Sequence, residues 1–234
     1  MVYAVSDIHG DLAMYNHIVK QLNKDDTLYV IGDAVDRGSS GIMILKDIMK
    51  RPNVELLLGN HEWFLIMSMF YGCESIMNIW ISKQNGGAVT AESLISLPSI
   101  EYDDILNYLL SRKICKKLTV NNKSFTLIHG CYYKGIEDVN EFKDSSLVYN
   151  CLWDSELLTA ISDKNNTDIY VHGHVPIGNA GLNNPYLDNC RYIDGGNIFG
   201  GCQILYNLST DTCTYFKNID GKIQSKEVKN PCII

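Results

Sequence analysis

Long hydrophobic runs are missing from this sequence. Its apolar stretches, such as residues 54–58 and 64–70, are far shorter than the roughly 20 residues that a membrane-spanning helix needs. The first residues contain neither a basic segment nor a long apolar segment, so no secretory signal is apparent. We therefore expect a soluble, cytoplasmic protein with no membrane partner.

The sequence also lacks C-x-x-C pairs and a surplus of basic residues. Its 8 cysteines are scattered, which favours buried free thiols in a reducing compartment over a disulfide framework or a thiolate zinc site. The 20 Lys and Arg residues are outnumbered by 27 Asp and Glu residues, so the net charge is −7. A protein that binds the nucleic-acid backbone needs the opposite balance, and we expect no nucleic-acid partner.

No repeat, low-complexity tract or linker interrupts the chain, so residues 1–234 are predicted to form one domain. In the first third, apolar runs alternate with segments of helical periodicity. The runs are residues 2–5, 27–31 and 54–58, and the helical segments are residues 12–22 and 42–49. This β-α-β-α-β order predicts parallel strands with helical crossovers.

The remainder of the chain has a different pattern. Residues 63–113 are predicted to form a helical insertion, broken at residues 85–87 and at Pro98. A hairpin is predicted at Asn121-Asn122, and further short strands are predicted at residues 168–171, 191–193, 202–208 and 213–216. Two packed sheets flanked by helices, an α/β (α+β) architecture, would reconcile the two halves.

Polar clusters follow five of the predicted strands. They are Asp7-Ile8-His9-Gly10, residues 32–38 (G-D-A-V-D-R-G), residues 59–62 (G-N-H-E), His129-Gly130 and His172-Gly173-His174. The carboxyl ends of strands in an open α/β sheet face one crevice, so these side chains are expected to converge. Carboxylate, amide and imidazole donors without a thiolate suit divalent ions such as Mn, Fe or Zn.

Each cluster has an ordinary explanation when it is considered alone. Asp-Gly and Asn-Gly pairs often mark turns, and a histidine at a strand end is often a satisfied polar residue. However, five of the 6 histidines fall in clusters that each follow an apolar run, and this repetition favours a metal site. The remaining one, His17, lies off the apolar face of its predicted helix and is expected to be solvated.

The motifs D-x-H-G, G-D-x-V-D-R-G and G-N-H-E, followed by two isolated histidine motifs, resemble the calcineurin-like metallophosphoesterases, and within them the phosphoprotein phosphatase branch. Residues 80–87 (W-I-S-K-Q-N-G-G), Trp153-Asp154 and residues 192–196 (Y-I-D-G-G) are similar to the bacteriophage-lambda-type and bacterial serine/threonine protein phosphatases. The resemblance covers essentially the whole chain. It implies a four-layer metallophosphoesterase fold with two packed mixed sheets flanked by helices.

The resemblance also implies roles for the site residues. It places Asp7 and His9 on one divalent metal ion, Asn60, His129 and His174 on a second, and Asp33 between the two. Manganese is the expected metal, with iron or zinc as alternatives. Two such ions can share a water and convert it to hydroxide near neutral pH, and this hydroxide is expected to attack the phosphate ester.

Three residues are expected to act on the substrate. Arg37 offers a planar, permanently charged fork that matches phosphate oxygens, and Asn60 and His61 are expected to contact the same group. His61, oriented by Asp36, is expected to protonate the leaving alkoxide as the general acid.

Two neighbouring residues are interpreted as supporting ones. Glu62 follows G-N-H at the start of a predicted helix, where a carboxylate is favourable, so we interpret it as structural. His174 precedes Val175-Pro176, as the ligand histidine of the family's G-H-x-P motif does, which leaves His172 a supporting role at most.

One position departs from the family pattern. Lambda-type phosphatases have a second phosphate-binding arginine shortly after the tryptophan of the Trp153 segment, and this chain has Ser155 there. Either another cation, such as Lys83, Lys134 or Arg191, enters the site, or the phosphate is held less firmly.

The predicted function is hydrolysis of phosphate monoesters by a monomer, with phosphoserine or phosphothreonine in a protein or peptide as the expected substrate. One alternative is a symmetrical diadenosine-tetraphosphate hydrolase or another small-molecule phosphoesterase. The tetraphosphate hydrolases usually have G-N-H-D and often lack the aspartate of V-D-R-G, so Asp36 and Glu62 favour the phosphatase. A second alternative is a non-catalytic phosphopeptide-binding protein.

Overall fold

The computed structural model describes residues 1–136, 146–154, 167–179 and 185–229. The strands of this described part are β1 (Val2–Val5), β2 (Thr27–Ile31), β3 (Val54–Leu57), β4 (Cys115–Val120), β5 (Lys123–Ile128), β6 (Ile169–His172), β7 (Tyr186–Leu187), β8 (Cys190–Tyr192), β9 (Gln203–Asn207), β10 (Thr212–Ile219) and β11 (Lys222–Lys229). Its α-helices are α1 (Leu12–Val19), α2 (Gly41–Lys50), α3 (Asn60–Leu65), α4 (Glu74–Trp80), α5 (Ala88–Ile95), α6 (Ser99–Leu110) and α7 (Ser146–Trp153).

The first sheet has the strand order β11-β10-β9-β1-β2-β3. β1, β2 and β3 are parallel, and α1 and α2 form the two crossovers, as the alternation predicts. Asp11 caps α1, because its Oδ1 accepts a hydrogen bond from the Met14 N–H at 3.0 Å. β9, β10 and β11 extend the other edge in antiparallel fashion, so the sheet is mixed.

The second sheet has the strand order β4-β5-β6-β8-β7. β5, β6 and β8 are parallel, whereas β4 and β7 are antiparallel to their neighbours. The predicted β4–β5 hairpin is confirmed: Asn121 and Asn122 both have positive φ (49° and 62°), as a two-residue hairpin turn of this kind requires.

Two layers of core hold the sheets and helices together. Between the sheets, Ala4, Ile31 and Leu57 belong to one apolar cluster with Phe125, Leu127 and Val171. On the other side of the first sheet, Val5, Val30 and Leu56 cluster with Tyr15, Ile18 and Leu45 of the crossover helices. The predicted architecture of two mixed sheets flanked by helices is therefore confirmed.

The helical insertion comprises α3 to α6, with a π-helical turn at Ile66–Phe70. It begins at Asn60, three positions before the predicted start, because the helix follows directly from the loop after β3. The predicted interruptions are both present: α4 ends before residues 85–87, and α6 begins immediately after Pro98. Trp80 and Thr90 of this insertion are buried.

Two further sequence expectations can be compared with the described residues. Among the described cysteines there is no disulfide, as predicted. Five of them are buried, as predicted, namely Cys115, Cys131, Cys151, Cys190 and Cys213, whereas Cys73 and Cys202 are half-buried. Cys232 lies outside the described part. Within that part, every helix is too short or too polar to cross a membrane.

Candidate active site

The loops that follow β1 and β2 lie side by side at the carboxyl edge of the first sheet. The His9 N–H donates to the Asp33 carbonyl at 2.8 Å, and the Gly10 N–H donates to the Ala34 carbonyl at 3.0 Å. Gly10 must be glycine, because a Cβ there would lie 2.4 Å from the carbonyl oxygen of Gly38. The two loops therefore form one continuous surface.

Asp33 lies at the centre of the predicted site. Its Oδ2 is 3.6 Å from His9 Nε2, 3.8 Å from His61 Nε2 and 3.4 Å from His129 Nε2. The Asp33 side chain is only 3% exposed. Because His129 follows β5 of the second sheet, the centre lies where the carboxyl edges of the two sheets meet.

Asp7, Asn60 and His174 complete the group. Asn60 Oδ1 is 2.9 Å from His129 Nε2 and 3.2 Å from His174 Nδ1. Asp7 Oδ1 is 3.9 Å from His9 Nε2, and Asp7 Oδ2 accepts a hydrogen bond from the His174 N–H at 3.0 Å. The structure thus brings together all the residues that the sequence predicts as metal ligands.

Hydrogen bonds fix the orientation of two of the imidazoles. His9 Nδ1 donates to the Val35 carbonyl at 3.0 Å, and His129 Nδ1 donates to the Ile31 carbonyl at 2.9 Å. A carbonyl can only accept, so Nδ1 carries a proton in both rings and Nε2 faces Asp33. Metal-binding histidines are usually held in this way by their second nitrogen.

The donor set fits divalent metal ions. Two groups of potential ligand atoms, from His9, Asp33 and His61 and from Asp33, His129 and His174, each lie within 4.8 Å of one another. Asp33 belongs to both groups, as a bridging carboxylate would. Nitrogen and oxygen donors of this kind suit borderline or hard divalent ions. His61 also lies at ligand distance, and its other ring nitrogen is engaged by a carboxylate.

That carboxylate is Asp36. His61 Nδ1 is 2.6 Å from Asp36 Oδ2, and the two side chains are 1% and 0% exposed. Two residues of the helical insertion hold Asp36: Trp80 Nε1–H donates to the same oxygen at 2.6 Å, and Thr90 Oγ1 accepts from the Asp36 N–H at 3.0 Å. The insertion therefore positions Asp36, and through Asp36 it positions His61, the predicted general acid.

The buried charges shift one another's pKa values. Burial lowers the pKa of His61, but the carboxylates of Asp33 and Asp36 outweigh burial and raise the pKa above its ordinary value. The pKa of His129 is raised to about 10, because Asp33 and Asp7 outweigh its burial. Burial raises the pKa of Asp33, yet the neighbouring His129 and His61 hold that pKa well below its usual range. In the metal-free protein, these carboxylates therefore favour the protonated form of His61.

Arg37 lies at the rim of this group. Its Nη1 is 2.5 Å from His9 Nε2, and its guanidinium carbon is 5.0 Å from the centre of the Phe199 ring. The Arg37 N–H donates to the Gly86 carbonyl at 3.1 Å. Gly86 has φ +73°, and a Cβ there would lie 3.0 Å from Arg37 Cα. The N-G-G segment thus lets the backbone pack closely against Arg37.

Glu62 lies in the first turn of α3 and also connects the loops that follow β2 and β3. Its Oε2 accepts from the N–H groups of Asp33 at 2.8 Å and Gly59 at 2.9 Å, and its Oε1 accepts from the Ala34 N–H at 2.8 Å. The Glu62 side chain is fully buried. The structural interpretation of Glu62 is confirmed, and its reach to the loop after β2 is a contact that the helix-end argument did not include.

Six of these residues have a left-handed backbone although none is glycine. They are Asp7 (φ 54°), His9 (46°), Asp33 (55°), Asp36 (69°), Arg37 (64°) and His174 (68°). This region is sterically disfavoured for side chains with a Cβ. Such conformations cluster at active sites, where the surrounding structure enforces them.

Among the cations considered for the position of the second arginine, Arg191 is excluded from the site. Its Nε and Nη2 donate to Asp211 Oδ1 and Oδ2 at 2.9 and 3.0 Å, and its Nη1 donates to the Asp188 carbonyl at 3.0 Å. The expectation that Arg191 enters the site is therefore wrong, because a buried carboxylate already engages it. Lys83 and Lys134 have exposed side chains, and Ser155 lies outside the described residues.

Two other histidines have structural contacts. His172 is fully buried, and its Nδ1 donates to the Gly130 carbonyl at 2.7 Å, so it supports the residue that follows His129. His17 is half-buried, and the centre of its ring is 5.2 Å from the centre of the Phe216 ring. The expectation of a solvated His17 is wrong, because β10 covers that side of α1.

Known proteins share this sequence pattern and fold. The chain matches the calcineurin-like phosphoesterase family over residues 1–197. It is 24% identical over 220 residues to serine/threonine-protein phosphatase 2 of Escherichia coli K12, which covers 88% of this chain and 92% of that protein. It is 37% identical over 68 residues to the symmetrical bis(5'-nucleosyl)-tetraphosphatase of Yersinia pestis (strain Pestoides F), which covers 27% of this chain and 24% of that enzyme.

Solved structures with the same fold bear both kinds of name. A proposed diadenosine tetraphosphatase superposes with a TM-score of 0.56 and 17% identity, covering 98% of this chain and 94% of its own. A protein serine/threonine phosphatase of Saccharomyces cerevisiae superposes with a TM-score of 0.55 and 17% identity, covering 99% and 81%. With the family match extending from β1 through the loop after β8, the chain belongs to the calcineurin-like phosphoesterases.

Proposed function

We propose that the protein is a serine/threonine protein phosphatase. The observation that carries this proposal is the buried His61–Asp36 pair, with a distance of 2.6 Å, next to the ligand group. A serine or threonine alkoxide is a strongly basic leaving group that needs a proton, whereas a nucleoside polyphosphate leaves as a weakly basic anion. A dedicated, cationic acid therefore contributes most to cleavage of an alkyl phosphate ester.

In this proposal, each residue at the site has a defined task. Asp7, His9, Asp33, Asn60, His129 and His174 would hold two divalent ions, manganese being the expected metal, and Asp33 would be shared by both. When bound, the ions supply an activated water nucleophile and compensate charge on the phosphate.

The remaining side chains act on the substrate. Arg37 and Asn60 contact the phosphate oxygens, and Arg37 stabilises the charge that develops on them. His61 donates its proton to the leaving oxygen, and Asp36 keeps the imidazole oriented and cationic.

The extent of the sequence matches favours a protein substrate. The match to serine/threonine-protein phosphatase 2 covers 92% of that protein, whereas the match to the Yersinia tetraphosphatase covers 24% of that enzyme. A tetraphosphate hydrolase is the second candidate, because that local match has the higher identity. We also propose that the protein acts in the cytoplasm as a monomer, on phosphorylated proteins or peptides rather than on nucleic acids or membranes.

A substrate panel tests the proposal. The protein is loaded with Mn²⁺ and assayed on phosphoserine, phosphothreonine and phosphotyrosine peptides, on p-nitrophenyl phosphate and on diadenosine tetraphosphate. We expect the highest kcat/KM on the phosphoserine or phosphothreonine peptides. A higher kcat/KM on diadenosine tetraphosphate would replace the proposal with the second candidate. Absence of turnover on the whole panel, with both metals bound, would indicate a non-catalytic phosphopeptide-binding protein.

A further inference from the structure

The hairpin of β10 and β11 extends past its neighbour in the first sheet. β9 pairs with β10 from Thr212 to Phe216, whereas β11 pairs with β10 as far as Ile219. Cys213 belongs to the core between the two sheets. Alternate residues along a strand share a face, so the residues on the Cys213 face continue beyond that core toward the carboxyl edge.

This continuation forms an open groove. A cavity of about 540 Å³ is lined by Cys202, Tyr215, Lys217, Ile219, Gln224 and Lys226. The register confirms that these strand residues share a face, because Tyr215 pairs with Lys226 and Lys217 pairs with Gln224. Lys217, Ile219, Gln224 and Lys226 are exposed. We call this surface the hairpin groove.

The hairpin groove is basic in an acidic protein. Lys222 pairs with Ile219 and so joins Lys217 and Lys226 on the same face, whereas Glu227 pairs with Thr214 on the opposite face. The whole chain has a net charge of −7. Three lysines next to Tyr215 and Ile219 therefore complement an acidic segment that also has some apolar character.

The groove adjoins the candidate active site. The Cys202 N–H donates to the Gly195 carbonyl at 3.0 Å. Gln203 Nε2 donates at 2.6 Å to the carbonyl of Ser6, the residue before Asp7. Strands in a sheet are about 4.8 Å apart, so β10 and β11 lie about 10 and 15 Å from β1. An extended peptide advances about 3.3 Å per residue, so it would reach Lys217 after about three residues and Lys226 after about five.

We propose that the hairpin groove binds an acidic segment of the phosphoprotein substrate, three to five residues from the phosphorylated side chain. This inference rests on the proposed protein phosphatase function. The lysines attract the acidic segment and direct the phosphorylated residue to the site between the two sheets. Because the lysines are exposed, their contribution is electrostatic and sensitive to salt.

Charge reversal in the groove tests the proposal. Phosphoserine peptides with neutral flanks are compared with peptides that have Asp or Glu at positions three to five, on the amino or the carboxyl side. We expect the wild type to prefer one acidic series, and the variant Lys217→Glu/Lys226→Glu to lower kcat/KM for that series by about tenfold at low salt. Turnover of p-nitrophenyl phosphate should be unchanged, which also shows that the variant is folded.

A matched control separates the groove from overall charge. Lys20 and Lys24 are exposed and lie between the end of α1 and the start of β2, near the amino ends of the parallel strands of the first sheet. Lys20→Glu/Lys24→Glu makes the same change in net charge and should leave the peptide preference intact.

Several results would overturn the inference. They are an equal loss in the control variant, equal losses on acidic and neutral peptides, or a loss confined to diadenosine tetraphosphate. If the Lys217→Glu/Lys226→Glu variant turns over phosphopeptides as the wild type does, the proposed role of the groove is wrong and the proposed function stands. Absence of turnover on every phosphopeptide would remove both.

Discussion

The two sheets contribute to the candidate site in different ways. The first sheet supplies Asp7, His9, Asp33 and Asn60 from three successive loops, two of which are hydrogen-bonded to each other directly. The second sheet supplies His129 and His174, which follow β5 and β6. Its histidines connect to the first sheet through the Ile31 carbonyl and the Asp7 carboxylate. We call the first-sheet loops the rigid half of the site, because hydrogen bonds join them directly. We call the second-sheet histidines, His129 and His174, the added half. Substitutions can be made in either half separately.

The largest effect is expected at Asp33, where the two halves meet. Asp33→Asn keeps the size of the side chain but removes the negative charge near His9, His61 and His129. We expect turnover to fall by more than about 10³-fold, together with loss of bound metal measured by elemental analysis. Asp47→Asn, a half-exposed change on α2, is the control. Near-normal turnover of Asp33→Asn with full metal content would contradict the assignment of Asp33.

Within the rigid half, His61 can be separated from metal binding. We expect His61→Asn, with metal retained, to lower kcat for alkyl phosphate esters by roughly 10²–10⁴-fold, the usual scale of general acid catalysis. Aryl esters, which have better leaving groups, should lose less. His17→Asn is the matched control, because His17 packs on Phe216 and takes no part in the site. Equal losses on alkyl and aryl esters would show that His61 is not the proton donor.

The bracing of the rigid half depends on Glu62. The Glu62 carboxylate accepts hydrogen bonds from the backbone N–H groups of Asp33, Ala34 and Gly59. In Glu62→Gln, one of the two accepting oxygens is replaced by an NH₂ group, which cannot accept. We expect a loss of about 1–3 kcal/mol in the free energy of unfolding, from urea denaturation at pH 8, because at least one buried donor loses its partner. Exposed Glu92→Gln should change it by less than about 0.5 kcal/mol. A similar small change for Glu62→Gln would show that the loops are held without Glu62.

The added half should make metal binding depend on pH. In the metal-free protein, Asp33 and Asp7 raise the pKa of His129 to about 10 despite its burial. A metal ion must displace that proton. At pH values under about 10, an increase in pH leaves fewer protons to compete for His129 and so strengthens metal binding. We expect the apparent Kd for Mn²⁺ to fall by up to about tenfold per pH unit between pH 6 and 8, by calorimetry in buffers of different ionisation enthalpy. A Kd independent of pH would contradict His129 as a ligand.

The same contrast governs what the sequence can predict. Buried parallel strands appear as apolar runs, and the predicted ranges 2–5 and 27–31 coincide with β1 and β2. β11 (K-I-Q-S-K-E-V-K) is a sheet-edge strand with exposed charged residues on both faces, such as Lys226 and Glu227, so it has no apolar alternation to recognise. β7 has only 2 residues and no usable period.

Site contacts follow the same division. Residues that lie within the motifs at strand ends, such as Asp36 and His61, are predicted from those motifs. Trp80 and Thr90 contact Asp36 from 44 and 54 residues away, and the pairing of Arg191 with Asp211 depends on sheet register. No local pattern indicates these contacts, because they arise only when the insertion and the second sheet pack.

The left-handed residues at the site have a consequence for the stability of the fold. At each of the six positions, glycine would adopt the left-handed backbone with less strain, by about 1 kcal/mol or more per residue. Mutations that abolish the chemistry at these positions can therefore stabilise the chain, so folding alone does not preserve them. Glycine at residue 7, 9, 33, 36, 37 or 174 would relieve backbone strain while removing a side chain of the site.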